Sequence, residues 1–258
     1  MPAAVDFDAA LERFAALDEK DLAQPWVFRD KTMDLRYALY RTIEESQEAL
    51  VRAAARSHPE SRRILSLAQR AFGDLRGLLI GLPADLLDEA PRAGEWSIQE
   101  ILRHVVVTEE RYAVQTCYAV ERADADPMRV AEEKLPTPAQ IDVAGGIDAI
   151  LARLARARSE TDRRLGDLPI AAMARPTLWI QYEVDVRFRL HRFASHLVEH
   201  AVQCEKALAA LGQLPTEGRR IVRRLTGLLG EIEGLAGPAE AREIEKRLVE
   251  RSGSLASV

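Results

Sequence analysis

Cysteine, lysine and aromatic residues are scarce in this chain, and long apolar runs are missing. Two cysteines in 258 residues, Cys117 and Cys204, leave no room for a disulfide framework. No charged segment leads into an apolar one near Met1, so both read as free thiols in a reducing, cytoplasmic setting. No stretch approaches the roughly 20 apolar residues that a membrane-crossing helix needs, and no membrane is expected among the partners. A formal charge of −5 offers no general basic surface for nucleic acid. Convincing strand alternation is absent, and so is an internal repeat of fixed period. Only five of the 36 basic residues are lysine, a bias that genome composition and heat adaptation explain equally. What is present is a globular composition, 47% hydrophobic, ample for a sizeable core.

Apolar residues recur at helical spacing along most of the chain. Phe7 to Leu17 reads as a short amphipathic helix, and Thr32 to Ser57 as a long one that ends at His58 and Pro59, since a residue before proline is disfavoured in the helical region. Glu60 to Leu82 continues in the same pattern. Ser97 and Glu100 then form an S-x-x-E capping box, with Trp96 and Ile101 at the hydrophobic-staple positions, and the helix they start runs to about Glu121. Asp124 to Gly146 is too long for a tight bundle turn and is expected to cover or line a pocket. Ile147 to Leu165 is helical, and the apolar connection Leu168 to Glu183 should pack near the bundle mouth. Another helix covers about Val184 to Leu211, two more follow at Glu217 to Leu235 and Pro238 to Arg251, and the last seven residues should fray. The expected organisation is an antiparallel four-helix bundle over residues 59–214, with an N-terminal helical extension (1–58) and a C-terminal one (215–258).

Within the run Arg192 to Leu211, His196 and His200 are one helical turn apart and project from one face. On the helical wheel His200 falls at the edge of the apolar stripe and His196 just beyond it. His104, on the helix that starts at Ser97, likewise neighbours Ile101 and Val105. Burying three unpaired imidazoles incurs repeated desolvation costs, whereas neutral imidazoles sharing one cation satisfy each other. His104, His196 and His200 are therefore the candidate metal ligands. Three such ligands leave one or more coordination positions open, as a catalytic metal requires. Gln203 is placed to orient a ligand from the His196 side. His191, about 140° from His196 on an ideal helix, and His58, beside Pro59, read as surface and turn residues. Cys204 reads as a buried small hydrophobe, Cys117 faces away from His104, and Glu100 is accounted for by the capping box. His196 to His200 also satisfies H-x-x-E-H, in which Glu199 would serve a metallohydrolase. That motif needs a further ligand and a strand-containing domain, and only short helical segments remain after it.

The WSIQEILRH run ending at His104 and the HRFASHLVEHAVQ run containing His196 and His200 resemble the metal-binding helices of the DinB-like (DinB/YfiT) superfamily. The resemblance spans roughly Glu60 to Leu214. It implies a four-helix bundle, homodimeric in many relatives, with a divalent ion on His104, His196 and His200: zinc or nickel first, iron or manganese next. It also implies a thiol-dependent S-transferase or isomerase that uses a low-molecular-weight thiol such as mycothiol or bacillithiol against an electrophilic substrate, with the ion lowering the thiol pKa. The alternative from another class is a noncatalytic scaffold or dimerisation protein stiffened by the same ion.

Overall fold

The computed structural model describes residues 7–28, 30–140 and 146–254, and among them the protein is all-α apart from two short hairpins. Helices α1 (Phe7–Ala16) and α2 (Glu19–Leu22) lead into strands β1 (Pro25–Phe28) and β2 (Lys31–Asp34). There follow α3 (Leu35–Ala54), α4 (Glu60–Leu79), α5 (Ile98–Glu121), α6 (Gly146–Leu165) and the single turn α7 (Ile170–Met173). Strands β3 (Pro176–Trp179) and β4 (Tyr182–Asp185) then precede α8 (Val186–Ala210), α9 (Glu217–Ala236) and α10 (Pro238–Ser254). No helix among the described residues is long and apolar enough to cross a membrane. Between α5 and α6 only short 3-10 turns interrupt the expected loop, whose residues 141–145 lie outside the described residues. At the C-terminus α10 continues through Ser254, past the start of the tail expected to fray, and residues 255–258 lie outside the description.

The hairpins correct the sequence reading. Residues 32–34, where the expected helix begins, instead pair antiparallel with 25–27, and the connection Leu168 to Glu183 folds as α7 followed by a hairpin with Pro176 opposite Asp185 and Trp179 opposite Tyr182. Four-residue strands are too short to show alternation, and the first strand of each hairpin begins with a proline, which an edge strand tolerates at its first position. Asp30, immediately before β2, has a positive φ of 65°, and so does Ile180, immediately after β3, at 56°. For Ile180, a β-branched residue, that conformation is strained. The helices after the hairpins begin alike. Asp34 Oδ1 accepts from the Tyr37 backbone N–H at 2.7 Å and Asp185 Oδ1 from that of Phe188 at 2.8 Å. The Leu35 N–H donates to the Gln24 carbonyl at 3.1 Å, and the Val186 N–H to that of Arg175 at 3.1 Å. The two modules are an internal repeat that the sequence reading missed, with Pro25, Asp34, Arg36, Leu39 and Arg41 matched by Pro176, Asp185, Arg187, Leu190 and Arg192, in each case 151 positions on.

Helices α4, α5, α6 and α8 enclose one apolar core, containing Leu75, Leu102, Val105, Leu154, Leu190 and Phe193. The two terminal segments close a second core together: Leu11, Phe14 and Leu39 from the N-terminal part meet Val222, Ile232 and Leu248 from the C-terminal part. The seam between the cores is α4 against α9, where glycines let the backbones approach. A Cβ on Gly73 would lie 2.1 Å from the Thr226 carbonyl oxygen, and one on Gly230 2.3 Å from that of Gln69.

Inside the first core lies one wholly buried charge. The Arg158 guanidinium, 0% exposed on α6, donates to Glu109 Oε1 on α5 at 2.8 Å and to Asp162 Oδ1 at 2.6 Å. Thr161 Oγ1 donates to the same Glu109 oxygen at 2.9 Å. The cluster locks α6 to the helix that carries His104. Replacing Arg158 with methionine leaves Glu109 buried without its cation, and the expected loss is about 3–5 kcal/mol of unfolding free energy, read as a lowered urea midpoint.

Candidate metal centre

His104 sits two turns into α5, whose start is the capping box that the sequence displays. Ser97 Oγ accepts from the Glu100 N–H at 3.3 Å, and Glu100 Oε2 accepts from the Ser97 N–H at 2.8 Å. Glu100 is thus spent on the helix start. Trp96 does not disappear into the staple position; it stays half-exposed, and its ring centroid lies 5.3 Å from that of His104. His196 and His200 come from the middle of α8, which packs along α5.

The three rings converge. His196 Nε2 is 3.2 Å from His104 Nε2 and 3.0 Å from His200 Nε2, and ligand atoms of all three lie within 4.8 Å of one another. Nitrogens bound tetrahedrally to one ion at about 2.0–2.1 Å stand roughly 3.3–3.4 Å apart, so the cluster needs only small adjustments to share a cation. Gln203 Oε1 lies 2.7 Å from His200 Nδ1, and as an acceptor it holds the proton there, leaving the Nε2 lone pair aimed at its neighbours. Gln203 therefore orients a ring as expected, although the ring is that of His200. The order of depth on α8 is also the reverse of the wheel: His196 is 7% exposed and His200 is only half-buried. A wheel describes one helix, and it is α5 that covers His196, with the Tyr112 ring centroid 5.5 Å from its own.

Electrostatics keep the cluster ready for a cation. Burial, helped by His200, His104 and Arg192, pushes His196 down to about 3, and burial followed by His200 lowers His104. The neutral donors suit zinc, nickel or iron alike. The cysteines stand apart. Burial pushes the Cys204 thiol up to about 12 and Cys117 up to about 11, so neither supplies a thiolate at neutral pH. Glu199, the residue a metallohydrolase reading requires, is turned to the surface and pairs with Arg192 at 3.1 Å. His191 is exposed, and His58 Nε2 is 2.7 Å from the Ala53 carbonyl oxygen.

Residues 67–204 match the DinB superfamily, a span of more than half the chain that includes all three histidines. The chain belongs to the DinB superfamily. No curated protein matches it. Membership and the histidine cluster together fit a metal-binding DinB-like protein.

Beside the cluster the DinB-like bundle builds a wall that sequence reasoning passed over. A cavity of about 260 Å³ shares Tyr112 with the histidine surroundings and is lined by Arg111, Arg129, Arg189 and Trp179. Arg189 is 3% exposed, and its guanidinium is held by neutral acceptors: Thr116 Oγ1 at 3.3 Å, the Leu178 carbonyl at 2.9 Å and Gln115 Oε1. Arg129 donates to the carbonyl of the strained Ile180, and Arg111 pairs with Glu132. Arg192 lies over the Trp179 ring, 4.9 Å from its centroid. Only the packing singles these arginines out, because in the sequence they resemble every other surface arginine.

Two outcomes check the centre. Gln203→Leu should weaken affinity for zinc by about 10-fold to 100-fold with the helical circular dichroism unchanged. At about pH 5.5, ion binding should release at most two protons, because His196 carries none to displace; titration calorimetry in buffers of different ionisation enthalpy reads the number.

Proposed function

We propose that this DinB-like protein is a metal-dependent enzyme that joins or rearranges an anionic electrophile with the help of a small thiol, as an S-transferase or isomerase. The observation that carries the reading is the set of three converging imidazoles, a donor set that leaves coordination positions open, next to a cavity whose charge is unbalanced. A divalent ion held by His104, His196 and His200, with zinc or nickel preferred, would supply Lewis acidity to lower the pKa of a thiol.

The chain's own residues account for the rest. With Cys117 and Cys204 buried and protonated, the nucleophilic sulfur comes from outside, which favours a low-molecular-weight thiol such as mycothiol or bacillithiol as co-substrate. Three guanidiniums face one carboxylate in the cavity, so Arg129 and Arg189 favour a substrate bearing carboxylate groups. Trp179 and Tyr112 provide flat apolar faces that exclude water on the side of His196. Tyr112, whose phenol burial raises above its ordinary pKa despite the hydrogen bond from Arg192, stays protonated and can donate to a developing oxyanion.

The test is turnover by zinc- or nickel-loaded protein of a panel of low-molecular-weight thiols with carboxylate-bearing electrophiles. Activity that His196→Ala abolishes, and for which Arg129→Gln raises KM about 10-fold with kcat little changed, is expected. If the ion raises thermal stability while no thiol and electrophile pair turns over, the scaffold reading replaces the enzyme.

A further inference from the structure

The repeat of α2, hairpin and long helix extends to the whole molecule. Helix α4 and helix α9 match at a spacing of 157, with Glu60, Arg62, Arg63, Ile64, Gly73 and Gly77 corresponding in sequence to Glu217, Arg219, Arg220, Ile221, Gly230 and Gly234. Helix α5 and helix α10 match at 143, where the buried series Ile98, Ile101, Val105 and Thr108 corresponds to Ala241, Ile244, Leu248 and Arg251. Contacts repeat with the residues. Arg187 Nε bonds Glu60 Oε1 at 2.7 Å, joining α8 to the start of α4, and Arg36 Nε bonds Glu217 Oε1 at 2.6 Å, joining α3 to the start of α9. The close approaches at the seam are reciprocal, Gly73 against Thr226 and Gly230 against Gln69, and Thr226 is itself the counterpart of Gln69. Such reciprocity is the mark of a two-fold axis, here relating parts of one chain.

We infer that the protein is a fused pair of one helical unit: the first runs continuously through α4, α5, α6 and α8, the second is closed through the termini as α9, α10, α1 and α3, and only the first retains a metal centre. Carrying the spacings onto the second unit puts Glu45 at the place of His196, Ala49 at that of His200 and Arg247 at that of His104. That place is filled by an ion cluster. Glu45 Oε2 lies 3.3 Å from Arg247 Nη1 and 3.3 Å from Arg251 Nη1, and Arg251 also bonds Thr42. Salt bridges between α3 and α10 thus stand where imidazoles join α5 and α8. The α4 and α9 seam joins the unit to its own counterpart, so a second chain is not needed to cover that face.

The experiment uses the full chain loaded with cobalt(II), whose visible absorption reports coordination. Sedimentation equilibrium should give one chain of 28.8 kDa carrying one ion. The variant Glu45→His, Ala49→His, Arg247→His should take up two ions per chain, doubling the cobalt absorption. A wild-type mass of two chains overturns the inference, and so does a variant that keeps its helical circular dichroism but binds a single ion. Should the variant lose that signal, the wild-type mass and ion count decide alone.

Discussion

The register of α5 against α8 is the constraint on which the site depends, because it brings the nitrogens of His104 and His200 to within about one ligand spacing of His196 Nε2. Neutral rings so placed have one obvious stabilising partner, a cation, and few hydrogen bonds to use instead. His200 gives its Nδ1 proton to Gln203, so its other nitrogen is a lone pair directed at His196. Removal from water has already made the protonated form of His196 costly. The register in turn is held from outside the cluster: Arg158 ties α6 to Glu109 on α5, and Arg189 ties α8 to Thr116 and Gln115 on the same helix. A buried arginine on each side of α5 leaves that helix little freedom to slide, which is what a preformed site needs.

Much of this was legible before any coordinates. Helical periodicity, the Ser97 and Glu100 capping box and the i, i+4 histidines name the bundle and three residues that meet, since each is a local pattern with a local cause. What escaped is non-local. The hairpins hide because four residues cannot display a period, and because the last residue of each second strand, Asp34 or Asp185, is already the cap of the next helix. The repeat hides because its parts recur at three different spacings and in rotated order, so no single period exists. The depth of His196 depends on a covering helix that α8 cannot announce. The cavity arginines are lost among a surface rich in arginine, and only their neutral partners set Arg189 apart from the paired majority.

The chemistry of the site follows from what surrounds the imidazoles as much as from the imidazoles themselves. Both thiols of the chain are withdrawn into apolar packing, Glu199 is committed to Arg192 and Glu100 to the helix start, so the obvious nucleophiles and bases near the histidines are already engaged. The unbalanced charge lies instead in Arg129 and Arg189, with Tyr112 and Trp179 between them and the cluster. Under the proposed function, a site so furnished would accept reactants and position them, with activation falling to the ion and to the phenol.

The second core, assembled from both ends of the chain, has a consequence for biosynthesis. Helices α1 and α3 are made before the histidine bundle, yet the surfaces they need belong to α9 and α10, made after it. The histidine-bearing bundle can close on itself while the N-terminal segment is still waiting, its apolar face uncovered. Loop closure across nearly the entire polypeptide is slow compared with local helix pairing. In order of synthesis the residues of the histidine bundle are therefore all present before the second core can close, and the apolar face of α1 and α3 has no partner until α9 and α10 have been made.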